Sequence, residues 1–140
     1  MASPLGQCRS AARRLRGKKR LRRAAQQFLL LRKRDRVVMP FGVMGGAYQP
    51  TGHARLISNI VDFGLDPQAA IDGPRSFSGD EGMQVERGYA PEVRAKLAAM
   101  GHDVCMPDGP LGGAQAIVID ESGVLQGASD PRKDGCALGY

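Results

Sequence analysis

Apolar positions recur with helical spacing across residues 51–63, where Leu56, Ile57, Ile60 and Val61 share one face. Gly64 stands where a helix-ending cap is expected. A second, short helix is predicted after Asp66, which is placed to cap it, with Pro67 at its first position. That helix carries Ala69, Ala70 and Ile71 and stops before Gly73-Pro74. A third, over residues 91–100, turns Val93, Leu97 and Met100 inward and ends at Gly101. Strand signals are shorter. The β-branched pair Val37-Val38, residues 83–87 and residues 104–106 each predict a brief strand. Residues 114–119 and 124–128 predict a β-hairpin across Asp120-Glu-Ser-Gly123. Residues 75–82 are expected to form an irregular, mobile loop. Helices mixed with a late antiparallel hairpin give an α+β pattern. With only about a hundred residues so patterned, several strands would be sheet edges with nothing beside them. The pattern predicts part of a sheet rather than a whole one.

One stretch organises the remainder. Met39-Pro-Phe-Gly-Val-Met-Gly-Gly-Ala-Tyr-Gln-Pro50 follows the Val37-Val38 strand and precedes the first helix. Gly45 and Gly46 sit at its centre. Two adjacent glycines there permit positive φ and a close approach of backbone to a ligand. Successive N–H groups can then converge on one anion or one developing negative oxygen. A nucleotide cradle is poorly supported, because the loop has no Gly-Lys-Ser/Thr and no spaced triple-glycine fingerprint. From the two glycines alone, a tight turn without chemistry is the plainer reading.

Charge divides the chain. Residues 1–36 carry 13 Lys/Arg and one acid, Asp35, a balance of +12; residues 37–140 carry 7 Lys/Arg and 13 acids, a balance of −6. Like charges this dense repel, so residues 1–36 are expected to be a disordered or helical basic tail, and residues 37–140 a separate body. Such a tail is a candidate arm for nucleic acid or an anionic membrane surface, or an Arg-rich presequence. Nucleic acid is not favoured, and no aromatic residues are interleaved for base stacking. The apolar run at 28–31 is too short for a secretory signal, and no run reaches membrane-spanning length. A cytoplasmic location is the default expectation. Cys8, Cys105 and Cys136 read as free thiols rather than a disulfide framework. His102 and Cys105 lack a third and fourth metal ligand, so neither a metal nor a cofactor is expected.

The body resembles the C-terminal part of the γ-glutamyltransferase family (γ-glutamyltranspeptidase, glutathione hydrolase). The residues that carry the likeness run in order: Phe41-Gly-Val-Met-Gly-Gly-Ala-Tyr-Gln49, then Asp62-Phe-Gly64, then Ala69-Ala-Ile-Asp-Gly-Pro-Arg75. Val85-Glu-Arg-Gly88, Leu97-Ala-Ala-Met-Gly-His102, Gly113-Ala-Gln-Ala-Ile117, Gly127-Ala-Ser-Asp-Pro-Arg132, Asp134-Gly135 and Gly139-Tyr140 follow. The resemblance covers residues 37–140 and none of residues 1–36. It implies an N-terminal-nucleophile hydrolase fold, an αββα sandwich, of which this chain is an incomplete C-terminal part. It also implies a precursor that cuts itself into a large and a small subunit. The small subunit's new N-terminal threonine attacks a γ-glutamyl carbonyl, as in glutathione, and the acyl-enzyme passes to water, an amino acid or a peptide.

Carried over, Gly45 and Gly46 are the backbone N–H donors of the oxyanion hole. Arg75, His102, Asp130 and Arg132 match family positions and are expected to serve turns and packing. The departures are specific. Thr51, the one threonine of the chain, follows the glycine pair, whereas the family nucleophile precedes it, so Thr51 is read as a helix N-cap. The family's polar pair for the substrate α-carboxylate would fall near Ala24-Ala25 and does not match, so the substrate-binding residues are unknown. The expectation is a γ-glutamyltransferase-like fragment, inactive alone, whose partners are a large subunit and the N-terminal part of a small subunit. The alternative is a protein that binds nucleic acid or an anionic surface through its basic arm, on a degenerate enzyme scaffold.

Overall fold

The computed structural model describes residues 27–80 and 82–139. The described residues divide into two compact units, 27–73 with 112–139, and 74–111.

In the first unit, strands β1 (Gln27–Lys33), β2 (Arg36–Met44), β6 (Gly113–Ile119) and β7 (Leu125–Ser129) form an antiparallel sheet in the order β1-β2-β6-β7. Alternation along β2 buries Met39, Phe41 and Val43 on one face. The register sets Phe41 opposite Ala116, Val43 opposite Ala114 and Ala116 opposite Ala128, so three alanines continue that face. Helices α1 (Gln49–Val61) and α2 (Pro67–Asp72) cover it: α1 touches β2, and α2 touches β6 and β7. Small side chains on β6 and β7 leave room for α2, whose Ala70 and Ile71 are buried. Gly52 does the same for α1, because a Cβ there would stand 2.6 Å from Val43 Cγ1. Asn59 Nδ2 joins the helices by donating to Ala70 O at 3.0 Å. Full burial of side chains such as Met39, Val43 and Ile71 stabilises the unit by about 1.5–3 kcal/mol each.

The other face of this sheet is different. Leu30, Ile117 and Leu125 point to it and are 62%, 43% and 64% exposed. Residues 137–139 approach it, and a cavity of about 600 Å³ lies between them and Ile117, Val124, Leu125 and Gly127.

The charge boundary at Val37 does not coincide with a structural one. Residues 1–26 of the expected tail lie outside the described residues. Its remainder is not a disordered or helical segment: β1 pairs with β2 along its length. Gln27–Lys33 alternates poorly, yet its Leu29-Leu30-Leu31 run is a sound strand former once a neighbour satisfies its backbone. Arg34 and Asp35 turn the hairpin, both at positive φ (46° and 60°), between paired Lys33 and Arg36. That is the geometry of a two-residue type I′ turn.

The second unit holds strands β3 (Ser76–Gly79), β4 (Gly82–Val85) and β5 (Val104–Cys105), with β3 antiparallel and β5 parallel to β4. Residues 75–82 are therefore not an irregular loop. Ser76-Phe77-Ser78 alternates polar and aromatic positions, and Gly82, at φ 102°, returns the chain. A Cβ at Gly82 would lie 2.6 Å from Asp103 O. Helix α3 (Pro91–Ala99) forms where expected, but none of its residues is buried. Val93 and Met100 are exposed, not inward. Strong helix formers such as Glu92, Arg94, Lys96, Leu97, Ala98 and Ala99 support this helix without a buried face. The cysteine expectation also needs correction: Cys136 is free and exposed, whereas Cys105 is disulfide-bonded. No helix of the described residues is long and apolar enough to cross a membrane.

Candidate functional site

Strand β2 ends at Met44, paired with Gly113, and the chain then turns sharply. Gly45 takes φ 135° and ψ 23°, and Gly46 takes φ 58°. A single 3-10 turn, Gly46–Tyr48, follows, closed by Tyr48 N donating to Gly45 O at 3.1 Å. Helix α1 starts at the next residue. Gly45, Gly46 and Ala47 are exposed. Among the described residues, none accepts a hydrogen bond from the Gly45 or Gly46 N–H. Two consecutive exposed donors, just ahead of the N-terminal end of a 13-residue helix, suit a negative oxygen.

The loop is held from behind by residues that a pattern reading passes over. Tyr48 is 4% exposed, and its ring lies among glycines. A Cβ on Gly112 would fall 2.7 Å from Tyr48 Cδ1 and 2.5 Å from Met44 O; one on Gly52 would fall 2.6 Å from Tyr48 Cε1. One on Gly45 would come within 3.0 Å of Gly112 Cα. The sequence signal for this was the second glycine doublet, Gly112-Gly113, which is silent about its neighbour until β6 is paired with β2.

Behind Gly112 lies a buried ionic fastening. Asp130 is fully buried. Its Oδ2 accepts from Ala114 N at 2.8 Å, and its Oδ1 accepts from Arg132 N at 3.0 Å and Arg132 Nη1 at 3.3 Å. The Arg132 guanidinium also donates to Ile71 O, Asp72 O and Gly73 O at 3.1–3.2 Å. A cation thereby meets the carbonyl end of α2. Gln68 adds a reciprocal pair with Ser129, Nε2 donating to its O and Oε1 accepting from its N. Asp130 and Arg132 thus tie α2, β7 and the start of β6 together.

Arg75 lies in the other unit and also makes structural bonds. Its Nη1 donates to Leu111 O at 2.7 Å, while Glu86 accepts from Arg75 N and Leu111 N. Thr51 is not an N-cap. The helix begins earlier than the apolar pattern indicates, with Tyr48 at the cap and Pro50 in the first turn, so Thr51 is an exposed residue inside α1. Pro at the second helical position supplies the fixed φ and needs no N–H partner there.

Known proteins give the chain its family. The profile of the Gamma-glutamyltranspeptidase family matches residues 3–140, reaching upstream of Val37. The glutathione hydrolase-like YwrD proenzyme of Bacillus subtilis is 39% identical over 108 residues, covering 71% of this chain and 21% of that protein. The oxamate amidohydrolase proenzyme of Klebsiella pneumoniae is 37% identical over 118 residues, covering 78% and 22%. The solved cephalosporin acylase of Bacillus halodurans superposes with a TM-score of 0.71 at 39% identity, over 79% of this chain and 22% of that one. The chain spans about a fifth of the length of these relatives. Its helix-covered sheet is part of an N-terminal-nucleophile hydrolase fold. The chain belongs to the Gamma-glutamyltranspeptidase family, the family of the glutathione hydrolases.

Proposed function

We propose that this chain supplies the anion-stabilising part of an acyl-transfer site, with the Gly45 and Gly46 N–H groups donating to the acyl oxygen. The observation that carries this reading is the pair of consecutive, exposed, positive-φ glycine amides at the end of β2. When a hydroxyl adds to a γ-glutamyl or related amide carbonyl, the oxygen gains negative charge. Donors already aimed at it lower the barrier without reorganising, and one such donor is worth about 10²–10³ in rate. Both positions take positive φ, which glycine adopts without strain, and a Cβ at Gly45 would also press on Gly112 Cα at 3.0 Å. The relatives named above are a glutathione hydrolase-like protein, an oxamate amidohydrolase and a cephalosporin acylase, and these names support amide acyl transfer as the chemistry of this site. The γ-glutamyl group is our first choice of substrate for this chain.

On this reading the chain does not carry its own nucleophile. Thr51 sits within α1, after the glycine pair, where the family's attacking threonine precedes it. Oxyanion donors cannot replace a missing attacking group. The purified chain is expected to leave a γ-glutamyl anilide uncleaved above background. Measurable release of the aniline would overturn the assignment of the nucleophile.

The partners we propose are a large subunit and the N-terminal part of a small subunit, and the exposed apolar face of the sheet supports them. Co-expression with neighbouring reading frames that encode those parts should give a complex that co-purifies. Failure to co-purify would count against assembly in trans. The charge of residues 1–36 favours a second reading, an arm for nucleic acid or an anionic surface. It requires duplex DNA binding that falls steeply with salt and vanishes when residues 1–36 are removed. No mobility shift at low salt would dispose of it.

A further inference from the structure

Gly45 and Gly46 have no side chains to fix the direction of their N–H groups, yet that direction matters. A donor turned away from the acyl oxygen contributes nothing, and glycine backbones rotate freely unless something holds them. Three observations identify what holds this one. Tyr48 closes the turn through its backbone, its N–H donating to Gly45 O at 3.1 Å. The same residue is 4% exposed, so its ring is fixed by packing. The slot around that ring is cut to its outline by glycine. Added Cβ atoms on Gly52 and Gly112 would overlap Tyr48 ring carbons at 2.6 and 2.7 Å, and one on Gly45 would press on Tyr48 at 3.3 Å. Val43, on the buried face of β2, borders the same slot, since a Cβ on Gly52 would also reach Val43 Cγ1 at 2.6 Å.

We infer that Tyr48 is a positioning residue whose ring, seated among Gly45, Gly52 and Gly112, fixes the direction of the Gly45 and Gly46 N–H groups. This rests on reading those groups as the anion-receiving pair. The ring, rather than the hydroxyl, sets the direction, because the three glycine contacts are made by ring carbons and Cβ. Gly112 is the opposing jaw. It cannot retreat, because it faces the carbonyl of Met44, which is paired into the sheet. A residue acting in this way contributes to the reaction without touching the substrate. Its loss misdirects the donors while the sheet and the helices remain.

Residual dipolar couplings of the Gly45 and Gly46 N–H vectors, recorded by NMR on the full chain without added anion, test the inference. Tyr48→Phe should leave both couplings at their wild-type values. Tyr48→Leu should shift both, while couplings at Phe41, Leu56 and Ala116 stay unchanged. Unaltered Gly45 and Gly46 couplings in Tyr48→Leu would overturn the inference. Should Tyr48→Leu fail to fold, the wild-type chain decides alone. Its Gly45 and Gly46 amides should show order parameters near about 0.85, as a rigid backbone does, and values below about 0.6 would overturn it. Acetate, titrated afterwards, separates this inference from the proposed function. Acetate-dependent shifts at Gly45 and Gly46 in the wild type, weakened in Tyr48→Leu and kept in Tyr48→Phe, support both. No acetate response in the wild type overturns the anion-receiving role alone, because the couplings were measured without it.

Discussion

Gly46 and Gly112 both adopt positive φ, 58° and 64°, but substitution meets different resistance at each. A methyl on Gly46 finds nothing within 4 Å, so Gly46→Ala carries the left-handed backbone cost alone, about 1–2 kcal/mol. A methyl on Gly112 meets Met44 O at 2.5 Å and the Tyr48 ring as well. Gly112→Ala should therefore cost about 3 kcal/mol or more, the strain and the overlap acting together. Urea denaturation of the two variants checks the order. Asp120 makes a second prediction at this scale. The side-chain bond from Ser122 first, then the Val124 amide, hold its carboxyl below the usual value of 3.8. A carboxyl lowered in the folded state adds stability above its unfolded pKa, and that contribution is lost as pH falls through the folded value. Ser122→Ala should raise the Asp120 pKa toward 3.8, which an NMR titration of the carboxyl carbon would read. The glycine doublet at 45–46 was legible in the sequence as a turn between a strand and a helix, and the anion-receiving role proposed for it came from the family resemblance. Tyr48 was not. Its constraint comes from Gly112, far along the chain, and no local pattern joins the two.

Local chemistry carried the elements that announce their own ends. Asp66 Oδ1 accepts from Gln68 N and Ala69 N at 3.0 Å, as its place before Pro67 indicates, and the β6–β7 hairpin turns at Asp120 as its residues require. Elements whose stability comes from a neighbour were harder to read. Strand β3 was hidden because Ser76-Phe-Ser-Gly79 has too little apolar content to stand without β4. Strand β1 was masked by the charges around it. Helix α3 shows the converse: its spacing suggested a buried face, yet none of its residues is fully buried, and strong helix formers fill most of its positions. The junction of α2, β6 and β7 depends on Asp130, whose carboxylate lies wholly buried among three donors. Asp130→Ala removes the partner of a mostly buried Arg132 and orphans the Ala114 N–H, so a loss of about 3–5 kcal/mol is expected. Asp130→Asn keeps an acceptor and should lose less. Chemical denaturation of both variants, followed by far-UV circular dichroism, would show whether the order holds.

Across the molecule, the family was legible because its ordered matches extend through both compact units. The limits of the sheet were not, because net charge marks solvation and says little about which backbone groups pair. The break in charge at Val37 falls inside the β1–β2 hairpin, whose Arg34-Asp35 turn occupies the left-handed region without glycine. That hairpin has a consequence for anyone who trims the protein at its change of composition. A version starting at Val37 would strip one flank of β2, leaving amides and carbonyls from Met39 to Val43 as an open template. Such a molecule should self-associate in sedimentation runs at concentrations where the full chain does so less, the bare strand recruiting a copy of itself in place of the ribbon that was cut away.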